Sequence, residues 1–327
     1  LGFFLVALLL VLSAAYGLVF WAYRAERDRS ARVGLYLVYG FPGILLVVAG
    51  LALSSYGKDL GPLLLFLGLG LTLPLVKSFR KAIARYTPID PDSPVDMSAL
   101  SIFLGVLGFL IASLLFPIES DSATRIMTVC PPVCGDTTSL EVDPTDAVDY
   151  GQLIVQLLAW VCLAYVSVGT GLRRKFAESN LRLGLARPTV RIVSIALGFV
   201  FIAMFVNGLG GALTALFQPD TSSEIQKSLQ ELTGDVQSPL GALILGVSAG
   251  VGEELFFRGA LQPKFGLFLT SVCFALLHTN YGFSFVTLGV FGMGIVFGLM
   301  RKRYGTVAPM ITHGVVNLIA VLIQTYT

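Results

Sequence analysis

Glu253, Glu254 and Arg258 stand together in "GVGEELFFRG", inside a run that otherwise has the composition of a membrane-spanning helix. An ionisable side chain at bilayer depth costs at least about 2.5 kcal/mol on insertion scales, so each needs a partner or a purpose. Glu254 and Arg258 are one turn apart, stack on one helix face and can pair. Glu253 is turned about 100° from Glu254, which leaves it as a spare carboxylate. The only two histidines follow in later apolar runs: His278 closes "CFALLH", one turn after Phe274, and His313 opens "HGVVN", one turn before Asn317.

A carboxylate beside an imidazole can hold a water and take its proton. A second imidazole with an amide supplies donors for the oxyanion of a tetrahedral intermediate. Together these are the equipment for amide hydrolysis without a covalent intermediate. A metal version stays open, because Glu253, His278 and His313 could ligate Zn²⁺ and leave one position for water, although the helical HExxH pairing of soluble zinc proteases is absent. Serine chemistry is less attractive, since no pairing of a serine with a histidine on an apolar helix stands out.

The elements that position these groups are membrane spans. Of 327 residues 55% are hydrophobic and 13% charged, which excludes a soluble globular domain, and nothing supports nucleic-acid binding. The fold expected is an all-α polytopic transmembrane bundle of about ten spans, near 1–23, 35–56, 60–76, 99–117, 151–171, 192–217, 240–261, 266–280, 284–300 and 306–325. The first run is expected to be a retained helix, being too long for a signal-peptide core. Eighteen of the 22 Lys and Arg fall on alternate breaks, three (Lys58, Arg125, Lys227) on the others, and Arg258 inside a helix. That bias places both termini outside the cytoplasm.

Counted from the cytoplasmic ends of their spans, Glu253 lies about 12 Å deep, His278 about 18 Å, His313 about 10 Å and Asn317 about 16 Å. A lone buried histidine or an ion pair one turn apart is ordinary packing, as are the GxxxG steps Gly246/Gly250 and Gly294/Gly298. Six polar groups from three helices in one slab are not, and they point to one buried polar cavity toward the cytoplasmic half.

Three divisions are expected: 1–172, transmembrane helices of unassigned role; 173–191, a basic, weakly amphipathic cytoplasmic connector; and 192–327, the core. The outer loop near 118–150 is acidic and holds "CPPVC", where Cys130 and Cys134 are candidates for a small disulfide. Cys162 and Cys273 read as packing residues. In the outer loop before the seventh span, Ile225, Leu229 and Leu232 are spaced for a short amphipathic surface helix.

"EELFFR", "FALLH" and "HGVVN" read in order as EExxxR, FxxxH and HxxxN, one per helix. This resembles the CPBP family of intramembrane proteases, also called the Abi or CAAX-protease family, over about residues 180–325. The resemblance implies endopeptidase activity within the membrane, as in the type II prenyl-protein endopeptidases. It further implies that Glu253 and His278 activate water, that His313 and Asn317 stabilise the oxyanion, and that Glu254, Arg258 and Phe274 support the site. The family has been described both as glutamate-type and as metal-dependent; the metal-free version is favoured here, with Zn²⁺ on Glu253, His278 and His313 as the alternative.

The expected partners are therefore the lipid bilayer and a membrane-embedded protein or peptide substrate, in the inner (plasma) membrane of a prokaryote. The competing reading is a non-catalytic accessory subunit, bound to a larger membrane complex through residues 1–172. A transporter using Glu253 as a proton carrier is the weaker third, because no inverted repeat relates the halves.

Overall fold

A computed structural model describes residues 2–56, 60–116, 150–278 and 282–326. Cys130 and Cys134 lie outside the described residues. Among those described the chain is helical throughout: α1 Gly2–Ala25, α2 Arg29–Ser55, α3 Leu60–Thr72, α4 Lys77–Ile83, α5 Pro94–Leu115, α6 Tyr150–Ser167, α7 Phe176–Leu183, α8 Val190–Phe217, α9 Pro219–Thr233, α10 Pro239–Glu254, α11 Gln262–Leu276, α12 Phe285–Tyr304 and α13 Val307–Tyr326. A π-helical segment, Leu255–Leu261, joins α10 to α11. The protein is an all-α polytopic membrane protein. Phe201 and Phe205 of α8 are 77% and 70% exposed while Glu254 and Arg258 are fully buried, the arrangement a hydrocarbon solvent selects.

Among the described residues eight helices are long and apolar enough to cross a membrane, or nine if the bent pair Leu60–Leu75 and Lys77–Ile83 is one span. The sequence expectation of about ten is higher for an identifiable reason. The seventh and eighth apolar runs lie in one stretch, Pro239–Leu276, that counts once. Gly266, at φ 80°, ψ 172°, breaks that stretch, because a positive φ is open to glycine and closed to a continuing α-helix. Beyond the break, Leu267–Leu276 rises only about 15 Å.

The chain divides into two compact units. One comprises Ala15–Met127 with Lys264–Gly266. In it Asp28 caps α2 by accepting from the Ser30 amide (2.9 Å), and α4 turns 95° from the preceding helix. Arg80 of α4 is buried and donates to the Pro91 carbonyl (2.7 Å). Lys264 pairs with Asp96, and Phe265 stacks on Phe103 with ring centroids 4.0 Å apart.

The other unit comprises Leu1–Ala14, Thr128–Pro263 and Leu267–Thr327. The fifth apolar run, as α6, lies in this unit together with α10. The physical reason is direct contact: Ser248 of α10 donates to the Leu153 carbonyl of α6 (2.7 Å), and Trp160 of α6 lies against Phe256 (4.9 Å) and Phe257 (5.7 Å). The expected connector is helical only over Phe176–Leu183, and the expected surface helix forms as α9, with Ile225 buried. Cys162 and Cys273 are free thiols within helices, Cys273 buried.

Helix directions in this unit follow from contacts. Phe217 at the end of α8 meets Phe285 at the start of α12 (5.9 Å), so these two run in opposite directions. Thr312 near the start of α13 donates to Ala196 near the start of α8 (2.9 Å), so these two run the same way. The core between them includes Val200, Phe297, Met300 and Val316.

Candidate active site

The site is built where α10 crosses α13. A Cβ on Gly250 would lie 2.7 Å from both the Gly314 amide nitrogen and the Met310 carbonyl oxygen. Only hydrogen at this position allows the backbones to come that close. Gly250 stands one turn before Glu254, and Gly314 adjoins His313, so the close crossing delivers a carboxylate to an imidazole.

Glu254 is the hub. Its Oε2 accepts from Arg258 Nε at 3.1 Å, and its Oε1 lies 3.0 Å from His313 Nδ1. All three groups are buried, and Arg258 is bonded through Nε alone, its Nη1 and Nη2 having no hydrogen-bond partner among the described residues. The expected Glu254–Arg258 pair is present, whereas the Glu254–His313 contact joins helices 59 residues apart and has no signature in local spacing.

Aromatic rings fix the remaining directions. The guanidinium of Arg258 sits 4.9 Å from the centroid of Phe274, a cation–π distance. Phe274 also meets the rings of His278 (5.0 Å) and His313 (5.9 Å). On its other side His313 stacks on Phe297 at 5.2 Å. Phe274 thus links Arg258 and both histidines, a position its sequence motif alone does not reveal.

Protonation follows from partners. His278 Nδ1 lies 2.9 Å from the Phe274 carbonyl oxygen, which can only accept. The ring therefore carries its proton on Nδ1, and in the neutral form Nε2 presents a lone pair. His313 donates from Nδ1 to the Glu254 carboxylate, so it offers a second N–H at Nε2 only as an imidazolium.

Glu253 is half-buried, and its Oε2 is buried without a hydrogen-bond donor among the described residues. Its charge lies within electrostatic reach of the His313 ring. Asn317 is half-buried on α13, one turn beyond His313. Among the described residues no three His, Cys, Asp or Glu side chains are grouped to hold a metal ion.

Sequence reasoning missed the residues that hold the helix carrying Arg258. In the π segment the Gln262 amide donates to the Phe257 carbonyl, five residues back. By that step the Arg258 carbonyl would need the amide of residue 263, and by an α-helical step so would Gly259. Residue 263 is proline and has no N–H. Two arginines from elsewhere replace it: Arg301 Nε donates to the Arg258 carbonyl (3.2 Å) and Arg182 Nη1 to the Gly259 carbonyl (3.1 Å). Gln262 Nε2 adds a bond to the Gly298 carbonyl (2.8 Å). Pro263 was the available signal.

Residues 235–319 match the model of a family described as type II CAAX prenyl endopeptidase Rce1-like. Glu253, Glu254, Arg258, Phe274, His278, His313 and Asn317 all fall in that interval. The chain is also 29% identical over 127 residues to UPF0177 protein YxdF of Lactococcus lactis, an alignment covering 37% of this chain and 71% of that protein. No solved structure matches. The resemblance drawn from the three motifs is therefore borne out over residues 235–319, the part of the chain that is similar to the Rce1-like type II CAAX prenyl endopeptidases.

Proposed function

We propose that this protein is an intramembrane endopeptidase that hydrolyses a peptide bond of a membrane-anchored protein or peptide, using water activated by Glu253 and His278. The family match supports the general activity. The observation that carries the finer reading is the fixed polarity of the two imidazoles: His278 is bonded to the Phe274 carbonyl through Nδ1, and His313 to the Glu254 carboxylate.

On this reading Glu253 and His278 Nε2 are two acceptors for the two hydrogens of one water. Its oxygen attacks the scissile carbonyl carbon while Glu253 takes a proton. The resulting oxyanion is held by His313 Nε2–H and the Asn317 amide. When the C–N bond breaks, the proton on Glu253 passes to the leaving nitrogen. No step passes through a metal, and metal analysis of the purified protein tests that choice.

The deciding experiment compares membrane proteins, by mass spectrometry, in cells carrying the wild-type chain, Glu253→Gln or His278→Ala. An uncut precursor is expected to accumulate in both variants, with cleavage slowed about 10²- to 10⁴-fold. Unchanged processing together with stable co-purification of other membrane subunits would favour the accessory-subunit reading instead.

A further inference from the structure

At the turn between α1 and α2, in the unit that does not carry the catalytic candidates, Arg27, Arg29 and Arg32 share a cavity of about 530 Å³ with Val33, Tyr36 and Leu37. Arg29, Arg32, Val33, Tyr36 and Leu37 follow the i, i+3, i+4, i+7, i+8 spacing of a single helix face. Arg32 is held in place, with Nε on the Ala25 carbonyl (3.1 Å) and Nη2 on the Glu26 carbonyl (3.4 Å) at the open end of α1. Tyr36 is held too, its hydroxyl accepting from Arg80 Nη2 (3.3 Å).

Arg27 and Arg29 differ. Neither guanidinium has a hydrogen-bonding or ionic partner among the described residues. The carboxylate between them, Asp28, is engaged on both oxygens, by the Ser30 amide and by Arg24. The cavity therefore has two uncompensated positive charges at its rim.

Its lining changes character along α2. From Arg29 to Leu37 the helix rises about 12 Å, and Val33 and Leu37 are exposed at 54% and 63% on a span built to meet hydrocarbon. A free phosphate would engage only the arginines. An anionic phospholipid engages the whole wall, with its phosphodiester between Arg27 and Arg29 and an acyl chain along Val33 and Leu37. We propose that this cavity binds an anionic phospholipid.

The test uses the full chain in detergent or nanodiscs, with native mass spectrometry to count bound phosphatidylglycerol against phosphatidylcholine of the same acyl chains. The wild type is expected to prefer phosphatidylglycerol by at least about tenfold. Arg27→Gln with Arg29→Gln should weaken phosphatidylglycerol about thirtyfold and leave phosphatidylcholine unchanged, and Arg29→Gln alone should give about fivefold. Lys302→Gln with Arg303→Gln removes the same charge from an exposed site outside the cavity, and should change neither. Equal loss in that control would reduce the preference to general surface charge and overturn the site. Displacement of the lipid by millimolar inorganic phosphate would make it a phosphate site and overturn the lipid.

Discussion

At the residue scale the two adjacent glutamates differ in their surroundings: Glu253 Oε2 is buried without a hydrogen-bond donor among the described residues, and Glu254 is bonded on both oxygens. Glu254 is charge-compensated on both oxygens, by Arg258 and His313, and its loss leaves two buried cations facing each other. Glu254→Gln is therefore expected to lower stability by about 3–5 kcal/mol, read as a fall in the thermal unfolding midpoint in detergent. It should also reduce cleavage, because a neutral amide no longer supplies the charged acceptor that fixes the His313 ring. Asn317→Ala should separate the two effects, with activity down about 10²- to 10³-fold and the midpoint nearly unchanged. If Asn317→Ala instead unfolds the protein while Glu254→Gln stays stable, the oxyanion and supporting roles are assigned the wrong way round. The division between Glu253 and Glu254 was legible in the sequence, because residues 254 and 258 must share a helix face and 253 must not. The His313 partner of Glu254 was not, because it depends on where α10 and α13 cross.

At the element scale the π segment shows how a local defect is repaired from a distance. The sequence "LFFRGAL" has no π-helical signature, and Arg182 and Arg301 read there only as charges that set topology. In the structure each donates to one of the two carbonyls, of Arg258 and Gly259, that the single missing amide of Pro263 could have served. Arg182→Ala leaves the Gly259 carbonyl without that donor and should cost about 1–2 kcal/mol in a denaturant titration. Pro263→Ala returns an amide to the helix, so Arg182→Ala made in that background should cost less by about 0.5–1 kcal/mol. Strict additivity of the two substitutions would mean that the proline is not what creates the need for the arginine. Long apolar helices were legible for the same reason that the break inside Pro239–Leu276 was not: hydropathy reports burial in lipid and is blind to the backbone angle of one glycine.

At the scale of the whole molecule, the open question is which side of the membrane the site serves. Within the unit that carries it, α8 and α13 run one way and α12 the other, and Arg301 at the end of α12 holds the Arg258 carbonyl. The site is therefore level with the cluster Arg301–Arg303, and the expectation from the positive-inside bias is that this cluster is cytoplasmic. Helix α8 joins two exposed positions, Arg187 before it and Gln226 in α9 after it, and its 28 residues rise about 42 Å, more than a hydrocarbon core of about 30 Å. Single substitutions Arg187→Cys and Gln226→Cys, made with Cys130→Ser and Cys134→Ser, test the orientation with a membrane-impermeant maleimide on intact cells. Gln226→Cys is expected to label, and Arg187→Cys only after permeabilisation. Labelling of both from outside would mean that α8 does not span, and the reverse order would invert the protein. With the expected order, the Arg301 bond to Arg258 puts the proposed water-activating pair in the cytoplasmic half, and the proposed function then requires the scissile bond to lie on that side of the substrate's membrane segment.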